Sequence, residues 1–158
     1  MKLFKNVMIV LVAVVLLCAC GGSKPADLPE PDTAKLAEEM FAAATLEDEL
    51  MSIDTDIMGN LYEYDEECIA EAAVYTSSTM STPEEIAVFK AADQASVEYV
   101  EEMVKLRLQN LQFSYEDYQP LEMPKIENAV IETKGLYTAF IVCGDPEPVQ
   151  EVFEKAFE

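Results

Sequence analysis

With 31 carboxylic side chains and no histidine among 158 residues, the chemistry open to this chain is narrow. Histidine-based triads, histidine general bases and HExxH-type zinc sites are excluded outright. Any fold that packs so many acids brings some pair to the separation used by paired-acid hydrolases. That abundance singles out no pair, so the sequence assigns no catalytic residue and no cofactor. One acidic run has a more definite spacing. In Asp54-Thr55-Asp56-Ile57-Met58-Gly59-Asn60, counting from Asp54 puts Asp56 third, Gly59 sixth and Asp65 twelfth. A calcium loop wants oxygen ligands at positions one, three and five, a glycine at six and a bidentate Glu at twelve. Met58 at the fifth position offers no oxygen, and the twelfth is Asp. The plainer reading is a solvated acidic loop whose Ile57, Met58 and Leu61 pack inward. No metal ligand set is assigned.

Two thiols and three aromatics are the other candidates. Cys68 and Cys143 both fall in predicted strands. They form a disulfide if those strands place their Cα atoms within ~7 Å; otherwise they are small buried apolar residues. Neither has the cationic setting that would activate a thiolate. Phe113, Tyr115 and Tyr118 run into Pro120. Tyrosines beside a groove make binding surfaces, and these three mark the candidate partner surface. The plainer role of Phe113 and Tyr118 is to seal the end of a long helix against the following hairpin.

The net charge of −21, with only 10 basic residues, excludes partners that need clustered Lys and Arg. Nucleic acid is one, and a basic patch drawn to anionic lipid is another.

The start of the chain points to a different membrane attachment. Lys2 and Lys5 precede the apolar run Val7–Leu17, and 17 of the first 20 residues are apolar. Eleven residues at 1.5 Å each fall well short of the ~30 Å bilayer core, so this is an export signal and not a span. It ends in Leu17-Cys18-Ala19-Cys20, which resembles the lipobox of bacterial lipoproteins. The resemblance implies cleavage before Cys20 and a diacylglyceryl group on its thiol. The two ester-linked acyl chains of that group anchor a protein stably, as one chain does not. The mature chain then has 8 basic and 31 acidic side chains, a charge of −23 before termini. It is repelled by the anionic surface to which its lipid holds it.

The organisation that follows is a signal peptide (1–19), a lipid-anchor cysteine with a flexible linker (20–32) and one globular domain (33–158). The linker carries Gly21-Gly22 and three prolines, and reaches ~40 Å at most when extended.

Within the domain, Asp32 caps a first helix whose apolar face holds Ala37, Met40, Phe41 and Ala44. Thr45-Leu46-Glu47-Asp48 resembles a capping box, predicting a short turn of helix before the irregular stretch Asp54–Asp65. Cys68–Thr76 reads as a strand. Glu85–Lys90 reads as a second strand, although Thr82-Pro83-Glu84-Glu85 is also a helix-start signal. From near Asp93, Val97, Val100, Val104, Leu108 and Leu111 recur at helical spacing, and Glu101 pairs with Lys105 at i,i+4. Pro120 and Pro124 mark a loop. Ile126–Thr133 and Leu136–Cys143 flank Lys134-Gly135 as a hairpin. Asp145 caps a last helix with Val149, Val152, Phe153, Ala156 and Phe157 on one face. The fold class is α+β, in the order α-β-β-α-β-β-α: an antiparallel sheet of about four strands with helices packed on one face.

As a whole the chain resembles the small lipoproteins of Gram-positive anaerobes that carry a domain of unknown function, the family numbered 4358. The matching features are the lipobox at Cys20, Leu61-Tyr62, Val74-Tyr75-Thr76-Ser77-Ser78 and Glu85-Ile86-Ala87-Val88-Phe89-Lys90. Arg107, Phe113, Tyr118-Gln119-Pro120, Ile126-Glu127-Asn128 and Gly135-Leu136-Tyr137 follow in order. The resemblance covers nearly the whole mature chain. It implies an exported, lipid-anchored single domain and carries over no catalytic residue. The expected function is non-enzymatic binding of an envelope protein or a small ligand at the outer face of the cytoplasmic membrane. A divalent-cation-binding surface protein and, after it, a carboxylate-dependent envelope hydrolase are the alternatives.

Overall fold

The computed structural model describes residues 28–158. The segment expected to be a signal peptide (1–19), Cys20 and the first part of the expected linker lie outside these residues. The elements in order are α1 (Thr33–Ala43), β1 (Leu50–Ser52), α2 (Thr55–Met58), β2 (Ile69–Ser77), β3 (Glu85–Ala91) and α3 (Val97–Glu116). A single 3-10 turn (Pro120–Glu122) follows, then α4 (Met123–Glu127), β4 (Val130–Lys134), β5 (Tyr137–Val142) and α5 (Glu147–Lys155). The sheet has five strands in the order β1-β2-β3-β5-β4, every neighbouring pair antiparallel.

The α+β class and antiparallel sheet are as expected, but the strand count and the layering differ. The sheet carries helices on both faces. Ala87, Phe89, Phe140 and Val142 pack on one side with Val100, Val104 and Leu111 of α3. Ile86, Val88, Ala139 and Ile141 pack on the other with Leu36 and Met40 of α1 and Val149 and Phe153 of α5. Successive side chains of a strand point to opposite faces. The central strands β3 and β5 therefore bury nearly every residue. This explains why Ile86-Ala87-Val88-Phe89 is an unbroken apolar run: it is buried on both faces rather than on alternate residues.

Helix α1 starts as its sequence dictates, with Asp32 accepting the Lys35 N–H at 2.8 Å. Phe41 leaves the core stripe partway and stacks on Tyr75 at 4.8 Å and 7°. In α3, Val100, Val104 and Leu111 are buried, while Val97 and Leu108 pack at the margin. Lys105 lies 3.9 Å from Glu101 and closer, at 2.7 Å, to Glu102.

Four local readings are corrected. The capping box at Thr45–Asp48 starts no helix. The N–H groups of Glu47 and Asp48 donate to the buried Glu84 carboxylate at 2.9–3.0 Å, and the chain runs straight into the unforeseen β1. The strand expected from Ile126 begins at Val130, because Met123–Glu127 is the short helix α4 with Pro124 in its first turn. Asp145 caps nothing: α5 follows Pro146 with no side-chain cap, and the Asp145 carbonyl accepts the Cys143 thiol. The hairpin turn is Gly135-Leu136, where Gly135 takes a φ of +60° that glycine adopts without strain.

Cys68 packs against the α3 face and Cys143 is buried in the other, so the sheet separates the two thiols and both are free.

Candidate functional site

An apolar groove of about 400 Å³ lies on the α3 face, where β1 and β2 meet α2 and α3. Its walls come from four places. Met51 and Ile53 belong to β1 and the residue after it, and Ile57 to α2. Leu111 and Tyr115 are in α3, with Tyr118 just beyond it, and Met80 is in the β2–β3 turn. Thr76 and Ser77 of β2 and Ser78 just after it supply hydroxyls, and Arg107 the one cation. Around the opening the apolar side chains are exposed: Tyr118 by 80%, Met80 by 79%, Ile57 by 46% and Met51 by 45%.

Beneath the groove lies a buried polar network. Glu85 is fully buried, and β3 directs it to the same face as Phe89 and Ala87. Arg107, the chain's single arginine, grips it with Nη2 at 2.7 Å and Nε at 3.2 Å. The Thr76 hydroxyl donates to Glu85 at 2.8 Å, and the Tyr62 hydroxyl donates to its other oxygen. The Arg107 guanidinium also stands over the Tyr62 ring, 5.8 Å from its centre. Burial and the neighbouring Glu85 charge push the Tyr62 hydroxyl well above its usual 10.0. Burial opposes the charge on Arg107, but the Glu85 carboxylate outweighs it and holds the guanidinium above its ordinary value. Tyr62, Thr76, Glu85 and Arg107 are all among the residues on which the family resemblance rests, and here they meet.

The adjacent Glu84 points to the opposite face and is also fully buried. Besides the two loop N–H groups it takes the Thr82 hydroxyl at 3.2 Å and lies 3.5 Å from Lys125. Lys125 in turn meets Glu122 at 2.8 Å and Glu47 at 3.0 Å. Beside this, Asp48 accepts the hydroxyls of Ser77 and Thr79, which lower its pKa. Glu84 and Glu85 are thus two buried carboxylates on opposite faces of the sheet, each engaged by its own cation.

The aromatic candidates separate. Phe113 and Tyr115 lie in the last turns of α3 and not in a loop. Tyr115 is nearly buried, and its hydroxyl is shared between the carbonyls of Thr82 at 2.6 Å and Met80 at 3.0 Å. This bond fixes the β2–β3 turn against α3, with burial raising the Tyr115 pKa. Tyr118 lines the groove, whereas Phe113 is 84% exposed and does not reach it. In the acidic run, Met58 is buried in the core and Leu61 packs beside it, as the plainer reading requires, while Ile57 turns outward into the groove. Among the described residues no three acidic or thiol side chains converge in a way that could hold a metal ion. Cys20 lies outside the described residues.

Sequence reasoning missed Met51, Ile57, Met80 and Arg107 as groove residues. Met51 depends on β1, a three-residue strand too short for any alternation to show. Met80 depends on a φ of +57°, an uncommon left-handed backbone for a non-glycine residue that residue types do not announce.

The raised groups predict an alkaline instability. In the folded state, burial raises Tyr62, Tyr64, Tyr99 and Tyr115 above 10.0 and Cys143 above 9.0. Above those unfolded values the folded state holds more protons than the unfolded chain, so stability falls as pH rises. Urea unfolding should show a full folding free energy at pH 7 to 8 that declines steadily once the pH passes about 10. A flat profile across that range would contradict the buried placement of Tyr62.

The model of one protein family, described as Domain of unknown function (DUF4358), matches residues 42–143. That span holds the whole sheet, the groove and both buried carboxylates; α5 and nearly all of α1 lie outside it. Comparison with curated proteins and with solved structures gives no match. The groove and its buried floor are therefore features of a DUF4358 domain, and the chain belongs to the DUF4358 family.

Proposed function

We propose that this chain is an exported lipoprotein, held through a diacylglyceryl group on Cys20 at the outer face of the cytoplasmic membrane. Its domain binds an envelope protein or a small ligand in the groove and performs no reaction on it. The observation that carries the reading is the ring of exposed apolar side chains, Met51, Ile57, Met80 and Tyr118, around one opening. Exposing four such residues together works against folding, and apolar patches of this kind mark interaction sites. Met80 adds a backbone cost of about 1 kcal/mol for its left-handed conformation, a kind of strain that clusters at ligand clamps.

The position of the linker supports the same reading. Leu28 packs beside Gly135 in the β4–β5 turn, the Tyr137 hydroxyl donates to the Pro31 carbonyl at 2.8 Å, and Lys90 meets Glu30 at 3.2 Å. The linker therefore enters at the Lys90 end of β3, whereas Glu85 beneath the groove is at the other end, about 17 Å away at ~3.4 Å per residue. A lipid at the linker end leaves the groove facing outward.

The test compares two equally exposed aromatics. With benzoylphenylalanine in place of Tyr118, illumination of intact cells should give one discrete heavier adduct; in place of Phe113 it should give none. Equal labelling from both, or none from Tyr118, would defeat the groove reading. In the same cells Cys20→Ala should move the protein from the membrane to the soluble fraction. Retention on the membrane would defeat the anchor.

A further inference from the structure

The groove runs beside an open sheet edge. Ser78 donates to the Glu49 carbonyl at 2.9 Å and Ile53 to the Val74 carbonyl at 3.1 Å, which fixes the phase of the β1–β2 ladder. In an antiparallel pair the residues facing the partner alternate with residues facing away. Glu49, Met51 and Ile53 thus turn their backbone groups to β2. Leu50 and Ser52 turn theirs outward, and among the described residues nothing pairs with them. The opposite edge is different: β4 carries Lys134 and is tied to α5 by Gln150, which donates to Glu132 at 2.9 Å. Lysines and covering elements blunt an edge against further pairing, and β1 has neither lysine nor proline. Its side chain towards the groove, Met51, is half-exposed, and exposed carboxylates flank it on both sides: Glu47 and Glu49 before, Asp54 and Asp56 after.

We propose that the outer edge of β1 takes an extended, basic peptide segment of a partner protein as a sixth strand, with the segment's apolar side chains seated in the groove. This rests on the reading of the groove as a binding surface and specifies its occupant. Backbone pairing to Leu50 and Ser52 supplies the directional bonds, alternate side chains reach Met51, Ile57 and Tyr118, and the flanking acids select lysine or arginine.

The probe is a short acetylated and amidated peptide of alternating valine and lysine, titrated into the mature chain. N-methylation of the amides on one edge of the peptide should weaken binding about tenfold, and methylation of the other edge should leave it nearly unchanged. Ser52→Pro removes an outward N–H that β2 does not use, so it should also weaken binding about tenfold while leaving the melting temperature close to the parent's. Ile57→Asp should weaken it as well. Equal affinity of the two methylated peptides would reveal mere attraction between opposite charges and overturn the proposal, as would failure of the unmodified peptide to bind. If the Tyr118 adduct in cells persists in Ser52→Pro, the groove binds its partner by another mode and only this proposal falls. If no Tyr118 adduct forms at all, the underlying reading falls with it.

Discussion

Arg107→Ala should destabilise the protein by about 3–5 kcal/mol, the usual penalty for stripping one partner from a buried ion pair. The reason is the carboxylate left behind. Glu85 has no exposed surface, and its two oxygens are divided among the Arg107 fork, the Tyr62 hydroxyl and the Thr76 hydroxyl. Two neutral donors remain after the change, but no cation, since Arg107 is the only arginine and the charge of Lys125 is committed to the Glu84 cluster. Arg107→Lys should cost less, roughly 1–2 kcal/mol, because an ammonium keeps the charge and loses the two-pronged geometry. The double change Glu85→Gln with Arg107→Met should recover much of the loss, since a buried pair replaced by neutral groups of similar volume is often close to neutral. Urea unfolding of the parent, Glu85→Gln, Arg107→Met and the double variant closes the cycle, and Arg107→Ala and Arg107→Lys are measured beside them. A loss below about 1 kcal/mol for Arg107→Ala would mean that the pair behaves as an exposed one.

Phe153→Ala should cost a similar amount, about 3–5 kcal/mol for removing a buried phenylalanine. Phe153 has no exposed surface, and its ring meets Phe157 edge-on at 5.1 Å on the sheet face lined by Ile86, Val88 and Ile141. Truncation opens a cavity between α5 and the sheet that α1 on the same face cannot fill without moving. The expected fall in melting temperature is roughly 10–20 °C for a domain of this size. The prediction separates two architectures. With helices on one face only, α5 would compete with α3 for the same surface and its loss would be partly absorbed. With a second core, nothing substitutes for it. A drop of only a few degrees would argue against the second layer.

Much of this fold was legible because long periodic segments dominate it. The stripe Val97, Val100, Val104, Leu108 and Leu111 could belong only to a helix, and Lys134-Gly135 between β-branched runs could belong only to a hairpin. The two-faced layering was also written in the chain, in the unbroken apolar runs of β3 and β5. The one-faced reading treats these strands as half-buried, whereas an unbroken apolar run marks a strand covered on both faces. What could not be read was anything decided at long range. The Glu47 and Asp48 amides look like the first turn of a helix until Glu84, some 37 residues away, takes them. The groove was half legible: Tyr115 and Tyr118 were marked by type and position, while Met51, Ile57 and Met80 come to the same opening only through a three-residue strand, a four-residue helix and a left-handed turn.

The Glu84-Glu85 dipeptide also acts as a register lock. Adjacent residues of a strand face opposite sides, so slipping β3 by one position would exchange the two carboxylates between layers. An apolar strand of alternating medium-sized side chains tolerates such a slip, since either set of residues can face either core. With the two glutamates at its start it cannot: the slip that sends Ile86 towards Arg107 moves Glu85 to the place of Glu84 and drives Glu84 out of it, leaving Arg107 without a carboxylate. A single-residue insertion or deletion between Pro83 and Ile86 should therefore be far less tolerated than one in the preceding turn. The two buried ion pairs, whatever they contribute to stability, determine which of two nearly equivalent sheets the chain builds.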